Sequence, residues 1–261
     1  MAEEPGKGMI EVAGVTKRYG GTVAVADVSF HVAPGEVLAL VGDSGSGKTT
    51  TLKMINRLVE PDAGRVRVDA RDTVTLEPHV LRRSIGYVLQ GAGLFPHRTV
   101  AENVAVPLRL LGWPRDRIDV RVAELLALVE LDESLAGRLP AALSGGEQQR
   151  VGVARALAAS PRVMLLDEPF GALDPLTRDR LQRSFDALRR RLALTAVFVT
   201  HDMAEAVTLA DRIGVMRGGR LVQLGSPAEL VRAPADEGVA RMLDTPRRQA
   251  RLVADRLEGR A

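Results

Sequence analysis

The chain has 261 residues, of which 46% are hydrophobic and 26% are charged, so it is long enough for one large α/β domain or for a core with an inserted subdomain. It contains no cysteine, which excludes disulfides, thiolate-bound metals and thiol nucleophiles. Its 36 basic residues nearly balance 33 acidic ones and aromatic residues make up only 3%, so we expect no nucleic-acid partner.

The sequence offers no segment of the membrane-spanning or secretory kind. No apolar run approaches the roughly 20 residues that a bilayer requires, and the first eight residues carry Glu3 and Glu4 without a hydrophobic stretch. We therefore expect the chain to stay in the cytosol and to meet a membrane only through a partner.

Two strands are predicted at the start of the chain, from Ile10 to Tyr19 and from Val23 to Val32, with a turn at Pro34-Gly35. They indicate an antiparallel sheet ahead of the main core. Tyr19 ends the first strand, and taken alone it is an unremarkable strand aromatic.

The most informative stretch runs from Gly42 to Thr49, after the apolar strand Val37 to Val41. Its spacing, G-x-x-x-x-G-K-T, lets the backbone curl so that successive N–H groups point at the oxygens of a polyphosphate. Lys48 can then reach the outer phosphates, and the Thr49 hydroxyl is placed to ligate Mg²⁺. A helix-like segment, Thr50 to Leu58, follows, and the whole predicts that the chain binds a nucleoside triphosphate.

Further elements alternate after this loop. A turn at Pro61 to Gly64 precedes a short strand, Arg65 to Asp69, and Ile85 to Leu89 is another strand that ends in Gln90. Between Gly91 and Pro140 the apolar spacing becomes helical. Helices are predicted from Val100 to Leu111 and from Ile118 to Leu131, separated by Gly112-Trp113-Pro114, which indicates a mainly helical insertion.

The segment Leu143 to Arg150 contains a Ser-Gly-Gly turn that opens a helix. One interpretation is an ordinary N-cap at Ser144. The other is a second anion site, built from that hydroxyl, close backbone N–H groups and a helix N-terminus.

A continuous apolar strand from Arg162 ends in Asp167 and Glu168, which suits a central parallel strand buried on both faces. Asp167 is either a turn residue or, beside the phosphate loop, a ligand in the shell of Mg²⁺. Glu168 could polarise a water for in-line attack on a γ-phosphate.

The remaining core alternates in the same way. Asp174-Pro175 predicts the start of a helix to about Leu192, and the strand Thr195 to Thr200 is followed by His201-Asp202. Strands alternating with helices predict a parallel sheet, whose chemistry gathers at the carboxyl ends of the strands.

Beyond the core, Ile213 to Leu224 predicts a closing hairpin, and Ser226 to Glu229 has the spacing of a capping box. The tail from Pro246 is rich in arginine, including Arg260. It could touch anionic lipid or form a solvated helix face, of which the second is commoner.

The segment Leu143 to Arg150 resembles the signature of ATP-binding cassette (ABC) ATPases, and the resemblance extends to about Gly225. Other motifs follow in the order of that family. They are Tyr19 at the adenine-stacking aromatic, Gly42 to Thr49 at the Walker A loop, Gln90 at the Q-loop, Val163 to Asp167 at the Walker B strand, Glu168 at the catalytic glutamate, Gly171-Ala172-Leu173-Asp174 at the D-loop and His201 at the switch histidine.

The resemblance implies ATP and Mg²⁺ as ligands, with Glu168 and His201 as catalytic residues. The metal-holding residues that it implies are Thr49, Gln90 and Asp167. The ATP-binding residues that it implies are Tyr19, Gly42, Ser44, Gly45, Ser46, Gly47, Lys48, Thr49, Thr50, Gln90, Ser144, Gly145, Gly146 and Asp174.

The fold implied by the resemblance is an α/β P-loop NTPase (RecA-like) core with a parallel sheet, an N-terminal antiparallel β-subdomain and an inserted α-helical subdomain at about 91–160. The ABC ATPase domain would cover 1–225. A short helical tail would cover 226–261, and because the chain ends at Ala261 we expect no regulatory CBS domains.

In this family the signature of one protomer completes the ATP site of the other. The resemblance therefore implies a second ATPase subunit, as a homodimer, and coupling to transmembrane permease subunits that are served by an extracytoplasmic binding protein. The chain would lie at the cytoplasmic face of the inner membrane through the permease.

A narrower likeness, carried by Thr50 to Leu58, Ile85 to Gln90 and Gly93 to His97, is to the ATPases of glycine betaine, choline and related quaternary-amine importers. Import of another small solute, such as an amino acid, is an alternative. A soluble ABC ATPase acting on DNA or ribosomes and a small-molecule kinase are further alternatives. The kinase leaves Leu143 to Arg150 and Glu168 unexplained.

Overall fold

A computed structural model describes residues 8–171 and 173–258 of the chain. The N-terminal segment with Glu3 and Glu4, Ala172 of the predicted D-loop, and Arg260 lie outside the described residues.

Strands and helices alternate through most of this range. The strands are β1 Ile10–Tyr19, β2 Thr22–Val32, β3 Val37–Val41, β4 Ala63–Val68, β5 Arg71–Asp72, β6 Ile85–Val88, β7 Val163–Asp167, β8 Thr195–Thr200, β9 Arg212–Arg217 and β10 Arg220–Gly225. The α-helices are α1 Lys48–Ile55, α2 Pro78–Ser84, α3 Val100–Leu110, α4 Arg115–Leu128, α5 Gly145–Leu157, α6 Pro175–Leu192, α7 Met203–Leu209, α8 Pro227–Arg232 and α9 Glu237–Leu257.

The strands form two sheets. An antiparallel sheet has the order β2-β1-β4-β5, and the main sheet has the order β10-β9-β3-β8-β7-β6. In the main sheet β3, β6, β7, β8 and β9 run parallel to their neighbours, and β10 pairs with β9 as an antiparallel hairpin. This is the parallel core and separate N-terminal antiparallel sheet that the sequence predicts.

The main sheet is buried on both faces, and β3 shows why. Every side chain of this strand is fully buried, and alternate residues face opposite sides because strand side chains alternate. Val37, Ala39 and Val41 pack in the cluster that contains α3 to α6, whereas Leu38 and Leu40 pack in the cluster that contains α1 and the antiparallel sheet. Burying each such Val or Leu side chain stabilises the fold by about 1.5–3 kcal/mol relative to leaving it exposed. Burial of both faces therefore favours the position of β3 in the middle of the sheet.

Several boundaries differ from the sequence prediction. The helix predicted from Thr50 to Leu58 is α1, which begins two residues earlier because Gly47 is its N-cap, and ends before Arg57, whose φ of 55° is left-handed. The helix predicted from Ile118 begins at Arg115, directly after Pro114. The short elements β5, α2 and α7 were not predicted, because two to seven residues carry little periodicity.

The range 91–160 contains the three helices α3, α4 and α5, so the helical insertion is present, while its limits remain a prediction. At the other end of the chain, α9 is a 21-residue helix with Pro246 inside it. The arginines of its second half, Arg247, Arg248, Arg251 and Arg256, are exposed. None of the helices in the described part of the chain combines the length and the apolar character needed to cross a bilayer.

Candidate functional site

An open cleft of about 400 Å³ lies at the carboxyl ends of the central strands. It is bordered by the loop between β3 and α1, by the residues that follow β6, β7 and β8, and by the end of β1. The residues that line it are Tyr19, Ala24, Ser44, Gly45, Ser46, Gly47, Lys48, Thr49, Thr50, Gln90, Glu168 and His201. Segments that are far apart in the sequence therefore meet at this cleft. This is expected, because α/β proteins bind ligands at the carboxyl ends of their parallel strands.

The loop from Gly42 to Thr49 has a backbone path that only glycine allows at two positions. Gly42 has a φ of 150°, and a Cβ there would lie 2.1 Å from the Met216 carbonyl oxygen. Gly47 has a φ of 100°, and its Cβ would lie 2.5 Å from the Ala24 carbonyl oxygen. The loop is thus pressed against β2 and β9, and its residues from Ser44 to Thr49 line the cleft. Loops of this kind bind phosphate through their backbone amides.

Lys48 is only 6% exposed and its ammonium is held inside the loop. Its Nζ donates to the carbonyl oxygens of Gly42 at 2.7 Å and Asp43 at 2.8 Å, and to the Ser46 hydroxyl at 3.4 Å. Burial lowers the pKa of Lys48, and the negative charges of Glu168, Asp43 and Asp167 oppose that shift. The three N–H donors of the ammonium are thus taken by loop oxygens, so phosphate oxygens that bind Lys48 would replace some of these acceptors.

Thr49 and Asp167 form the part of the site suited to a divalent cation. The Thr49 hydroxyl donates to Asp167 Oδ1 at 2.8 Å, although the two residues are 118 positions apart. Burial raises the pKa of the Asp167 carboxyl, and the hydrogen bond from Thr49 opposes the rise. One carboxylate and one hydroxyl are hard oxygen donors, the set with which Mg²⁺ is bound alongside substrate phosphates. The residues present therefore fit Mg²⁺.

Glu168 is held between two other predicted site residues at the edge of the cleft. Its Oε2 accepts a hydrogen bond from Gln90 Nε2 at 3.2 Å, and its Oε1 lies 3.4 Å from His201 Nδ1. Its backbone has a φ of 49°, in the left-handed region that bulky residues seldom adopt. This conformation turns the chain sharply after β7, and such strain is concentrated at functional positions.

Tyr19 lies on the rim of the same cleft with 51% of its surface exposed. The Lys17 ammonium lies 5.7 Å from the centre of its ring. An exposed aromatic face beside a phosphate loop can stack on a nucleobase.

The signature residues do not line this cleft. Ser144 and Gly145 are exposed at the start of α5, and Gly146 is partly exposed. Ser144 is the N-cap: its hydroxyl accepts from the Glu147 amide at 3.3 Å and donates to Glu147 Oε2 at 2.8 Å, while its own amide donates to the same oxygen at 2.7 Å. This is a complete capping box, so the N-cap interpretation is correct, and it leaves the second interpretation open.

Asp174 also lies outside the residues that line the cleft. Its Oδ1 accepts a hydrogen bond from the Thr177 amide at 3.0 Å, which makes it the predicted N-cap of α6. Within one chain, the predicted site therefore separates into a phosphate-loop group and a surface group formed by Ser144, Gly145, Gly146 and Asp174.

Sequence reasoning missed residues that support the site from behind. Arg178 donates to the Leu173 carbonyl at 3.2 Å and lies 3.8 Å from Asp202, so it links the segment before α6 to the residue after His201. Arg155 donates to the carbonyls of Ala92 and Gly93, two and three residues after Gln90. No spacing rule could identify these arginines, because their acceptors are backbone carbonyls or lie on a different element.

The comparisons with known proteins agree with this geometry. The family model described as ABC transporter matches residues 25–171, which include the phosphate loop, the signature, Asp167 and Glu168. The chain belongs to the ABC transporter family. This ABC cassette also resembles solved structures: a dimeric post-hydrolysis state of the ATP-binding cassette MJ0796 bound to ADP and Pi is 34% identical, with a TM-score of 0.78, over 84% of this chain and 98% of that one. The predicted fold class is thereby confirmed.

Curated relatives of the cassette are transport proteins. The choline transport ATP-binding protein OpuBA of Bacillus subtilis is 50% identical over 92% of this chain and 63% of its own length. The glycine betaine/carnitine/choline transport ATP-binding protein OpuCA of the same organism is 49% identical over 96% of this chain and 66% of its own. The glycine betaine uptake protein YehX of Escherichia coli is 48% identical over 94% and 80%. The chain thus spans less than two thirds of the length of OpuBA and OpuCA.

Proposed function

We propose that this chain is the ATP-binding and ATP-hydrolysing subunit of an ABC importer, which drives uptake of a small solute and most directly of a quaternary amine such as glycine betaine or choline. The observation that carries the proposal is the position of Glu168, held by Gln90 and His201 at the edge of the cleft that the Lys48 loop forms. Relatives described as ATP-binding proteins of choline or glycine betaine transport and uptake, at 48–50% identity, support the choice of cargo.

In this proposal the loop amides and Lys48 bind the phosphates, Tyr19 stacks on adenine, and Thr49, Asp167 and Gln90 hold Mg²⁺. The ion would supply neutralisation of the phosphate charge. Glu168 accepts a proton from a water that attacks the γ-phosphate in line, and its contacts with Gln90 and His201 keep the carboxylate in position.

The active unit in this proposal is a dimer of two copies of the chain. Ser144, Gly145 and Gly146 present a helix N-terminus on the surface, away from their own chain's cleft, and Asp174 lies in the same surface group. A helix N-terminus binds anions, so these residues would complete the ATP site of a second subunit. The dimeric state of the related MJ0796 cassette supports this arrangement.

Coupling to a permease would use a groove of about 350 Å³ that reaches Tyr87, three residues before Gln90. It is lined by apolar and basic side chains of α2, β6, α3 and α5, among them Tyr87, Arg82 and Leu110. Through such contacts the chain would work at the cytoplasmic face of the cell's inner membrane, with an extracytoplasmic binding protein delivering the solute to the permease.

The test is to reconstitute the chain in proteoliposomes with the permease and binding protein encoded beside it. We expect ATP hydrolysis to rise when choline or glycine betaine is supplied, and not with an amino acid, spermidine or Fe³⁺. Relatives described as importers of spermidine/putrescine and Fe³⁺ are 44% identical, so these solutes are the informative competitors. Stimulation by one of them would replace the proposed cargo, and co-purification with nucleic acid instead of membranes would contradict import.

A further inference from the structure

Arg155 is a buried guanidinium that bonds to a single loop. It lies in the last turn of α5 and is 9% exposed. Its Nη2 donates to the Ala92 carbonyl oxygen at 2.7 Å and its Nη1 to the Gly93 carbonyl oxygen at 2.9 Å. Helix α5, whose N-cap is Ser144, is therefore joined to residues two and three positions after Gln90.

The charge of Arg155 is stabilised almost entirely by these carbonyls. In the described part of the chain no carboxylate forms an ion pair with it, and burial lowers its pKa. The Phe95 ring lies 6.0 Å from the guanidinium carbon. A cation removed from water in this way depends on the hydrogen bonds that it makes, so the loop and the arginine fix each other.

The loop itself has an unusual path. Gly91, Ala92 and Gly93 have φ values of 70°, 62° and 54°, so three successive residues are left-handed. Ala92 is buried, with 1% of its surface exposed. Its left-handed backbone is unfavourable for alanine, because the Cβ comes too close to the following carbonyl oxygen. The strain in this path lies at Ala92, because glycine adopts left-handed backbone freely. The path follows Gln90, whose amide donates to Glu168 at 3.2 Å.

We propose that Arg155 is a positioning residue for hydrolysis, which fixes Gln90 against Glu168 and makes that contact follow any movement of α5. The proposal rests on the function proposed above. Helix α5 is continuous, with a rise of about 1.5 Å per residue, so its two ends move together. It therefore connects the surface residue Ser144 to the loop after Gln90. Engagement of Ser144 by a second subunit's nucleotide would in this way be transmitted to the chain's own Glu168.

The experiment compares Arg155→Met with Arg121→Met in the full chain. Arg121 is a matched control, because it also donates to carbonyls at the end of α5, those of Leu157 and Ala158. Within the described residues its other hydrogen bonds go to Glu124 and Ser160, and none goes to the loop. We measure kcat for ATP hydrolysis, the Kd for ATP, and hydrogen exchange of the amides of Ala92 and Gly93.

We expect Arg155→Met to lower kcat about tenfold with Kd changed less than about twofold, because small misplacements of catalytic groups cost rate more than binding. The Ala92 and Gly93 amides should exchange faster, and Arg121→Met should leave kcat and exchange close to native. Native kcat in folded Arg155→Met, equal losses in both variants, or unchanged exchange would overturn the proposal.

If Arg155→Met does not fold, Arg155→Lys decides the matter. Lysine keeps the charge but has no planar fork to span two carbonyls. A kcat lowered about threefold at unchanged Kd supports the positioning role, and a native kcat overturns it. Absence of hydrolysis by the native chain would overturn the proposed function itself, which separates the two failures.

Discussion

The two halves of the predicted ATP site differ in how complete they are within one chain. The phosphate-loop half is interlocked: Lys48 is buried among three acceptors, Thr49 reaches Asp167, and Glu168 is held by Gln90 and His201. The signature half, by contrast, is an exposed helix start whose hydrogen bonds close on itself. The difference teaches that contacts within one chain assemble the phosphate-loop half but leave the signature half apart from it, as the dimer proposed above requires.

A comparison within the same molecule sharpens this point. Ser226 begins α8 with a capping box whose distances, 2.7, 2.9 and 3.3 Å, nearly repeat the 2.7, 2.8 and 3.3 Å of the Ser144 box. Local geometry therefore does not by itself assign a nucleotide-binding role to the helix start at Ser144. The order of motifs along the chain is the basis for proposing that role, and Ser226 becomes a matched control for Ser144.

The largest effect should come from the interlocked half. Glu168→Gln keeps the shape of the side chain and removes its basicity, so we expect kcat for ATP hydrolysis to fall at least about a thousandfold while ATP binding is retained. Bound ATP should then accumulate in a stable dimer, measured by sedimentation with and without ATP. Turnover within tenfold of native would contradict the role of Glu168 as the base.

The exposed half should respond differently. Ser144→Arg places a bulky cation at the surface helix start, so we expect hydrolysis and ATP-induced dimerisation to fall about a hundredfold, because a misplaced group at a shared site blocks closure. The Kd of the single chain for ATP should stay native, as measured by nucleotide titration of dilute protein. Ser226→Arg is the control and should dimerise normally; normal dimerisation of Ser144→Arg would count against a shared site.

Lys48→Ala should weaken ATP binding by the single chain, the quantity that Ser144→Arg should leave unchanged. The reason is that it removes the charge that the loop holds for phosphate. Hydrogen bonds to charged groups contribute about 1.5–3 kcal/mol, so we expect the Kd for ATP to rise about tenfold to a hundredfold. Isothermal titration of the single chain measures this directly. If binding weakened equally in Ser144→Arg, the separation of the two halves would be wrong.

Much of the fold could be predicted from the sequence because its strands are short apolar runs with clear turn residues between them. Val37–Val41, Val163–Asp167 and Thr195–Thr200 are buried on every side chain, and such runs are recognisable without partners. The limits of α1 were wrong, since Gly47 is an N-cap without a side chain and gives no capping signal.

The candidate site was predictable where the chemistry lies in consecutive residues, as from Gly42 to Thr49. The approach of Thr49 to Asp167, 118 positions apart, was expected, since both were candidate Mg²⁺ ligands near the carboxyl ends of strands. The link from Arg155 to Ala92, 63 positions apart, was not predictable. Such contacts depend on how helices pack over the sheet, and hydrogen bonds to backbone carbonyls place no constraint on the type of the accepting residue.

A pH experiment distinguishes the two halves, because the pKa of a carboxyl group near each half is shifted in opposite directions. Burial raises the pKa of Glu205, on α7 behind His201, to about 7, against 4.5 when unshifted, and its Oε1 has no hydrogen-bond partner. The folded state therefore holds this proton more tightly, so its contribution to stability is complete below pH 4.5 and is lost as pH rises through about 7. Glu205→Gln should accordingly gain on the order of 2 kcal/mol in free energy of unfolding relative to native between pH 5 and 8.

The exposed half supplies the opposite sign as a control. Hydrogen bonds from Ser144 lower the pKa of Glu147, so its contribution is present above pH 4.5 and is lost as the pH falls. Urea unfolding should show the Glu205→Gln difference changing between pH 5 and 8, and the Glu147→Gln difference changing with the opposite sign below pH 4.5. A Glu205→Gln difference that does not change with pH would mean that this carboxyl is not titrating in the folded chain.

The smallest effect tests whether the two capping boxes differ in anything but position. Ser144→Ala and Ser226→Ala each remove one hydroxyl from nearly identical geometry, so both should lower the free energy of unfolding by about 1 kcal/mol. Equal losses measured by urea unfolding would show that Ser144 stabilises its own helix as any N-cap does. ATP hydrolysis should then fall several-fold in Ser144→Ala alone, because only that hydroxyl faces a second subunit's phosphate in the proposed dimer. If hydrolysis fell equally in both variants, helix stability would explain the effect, and the surface half would carry no binding role.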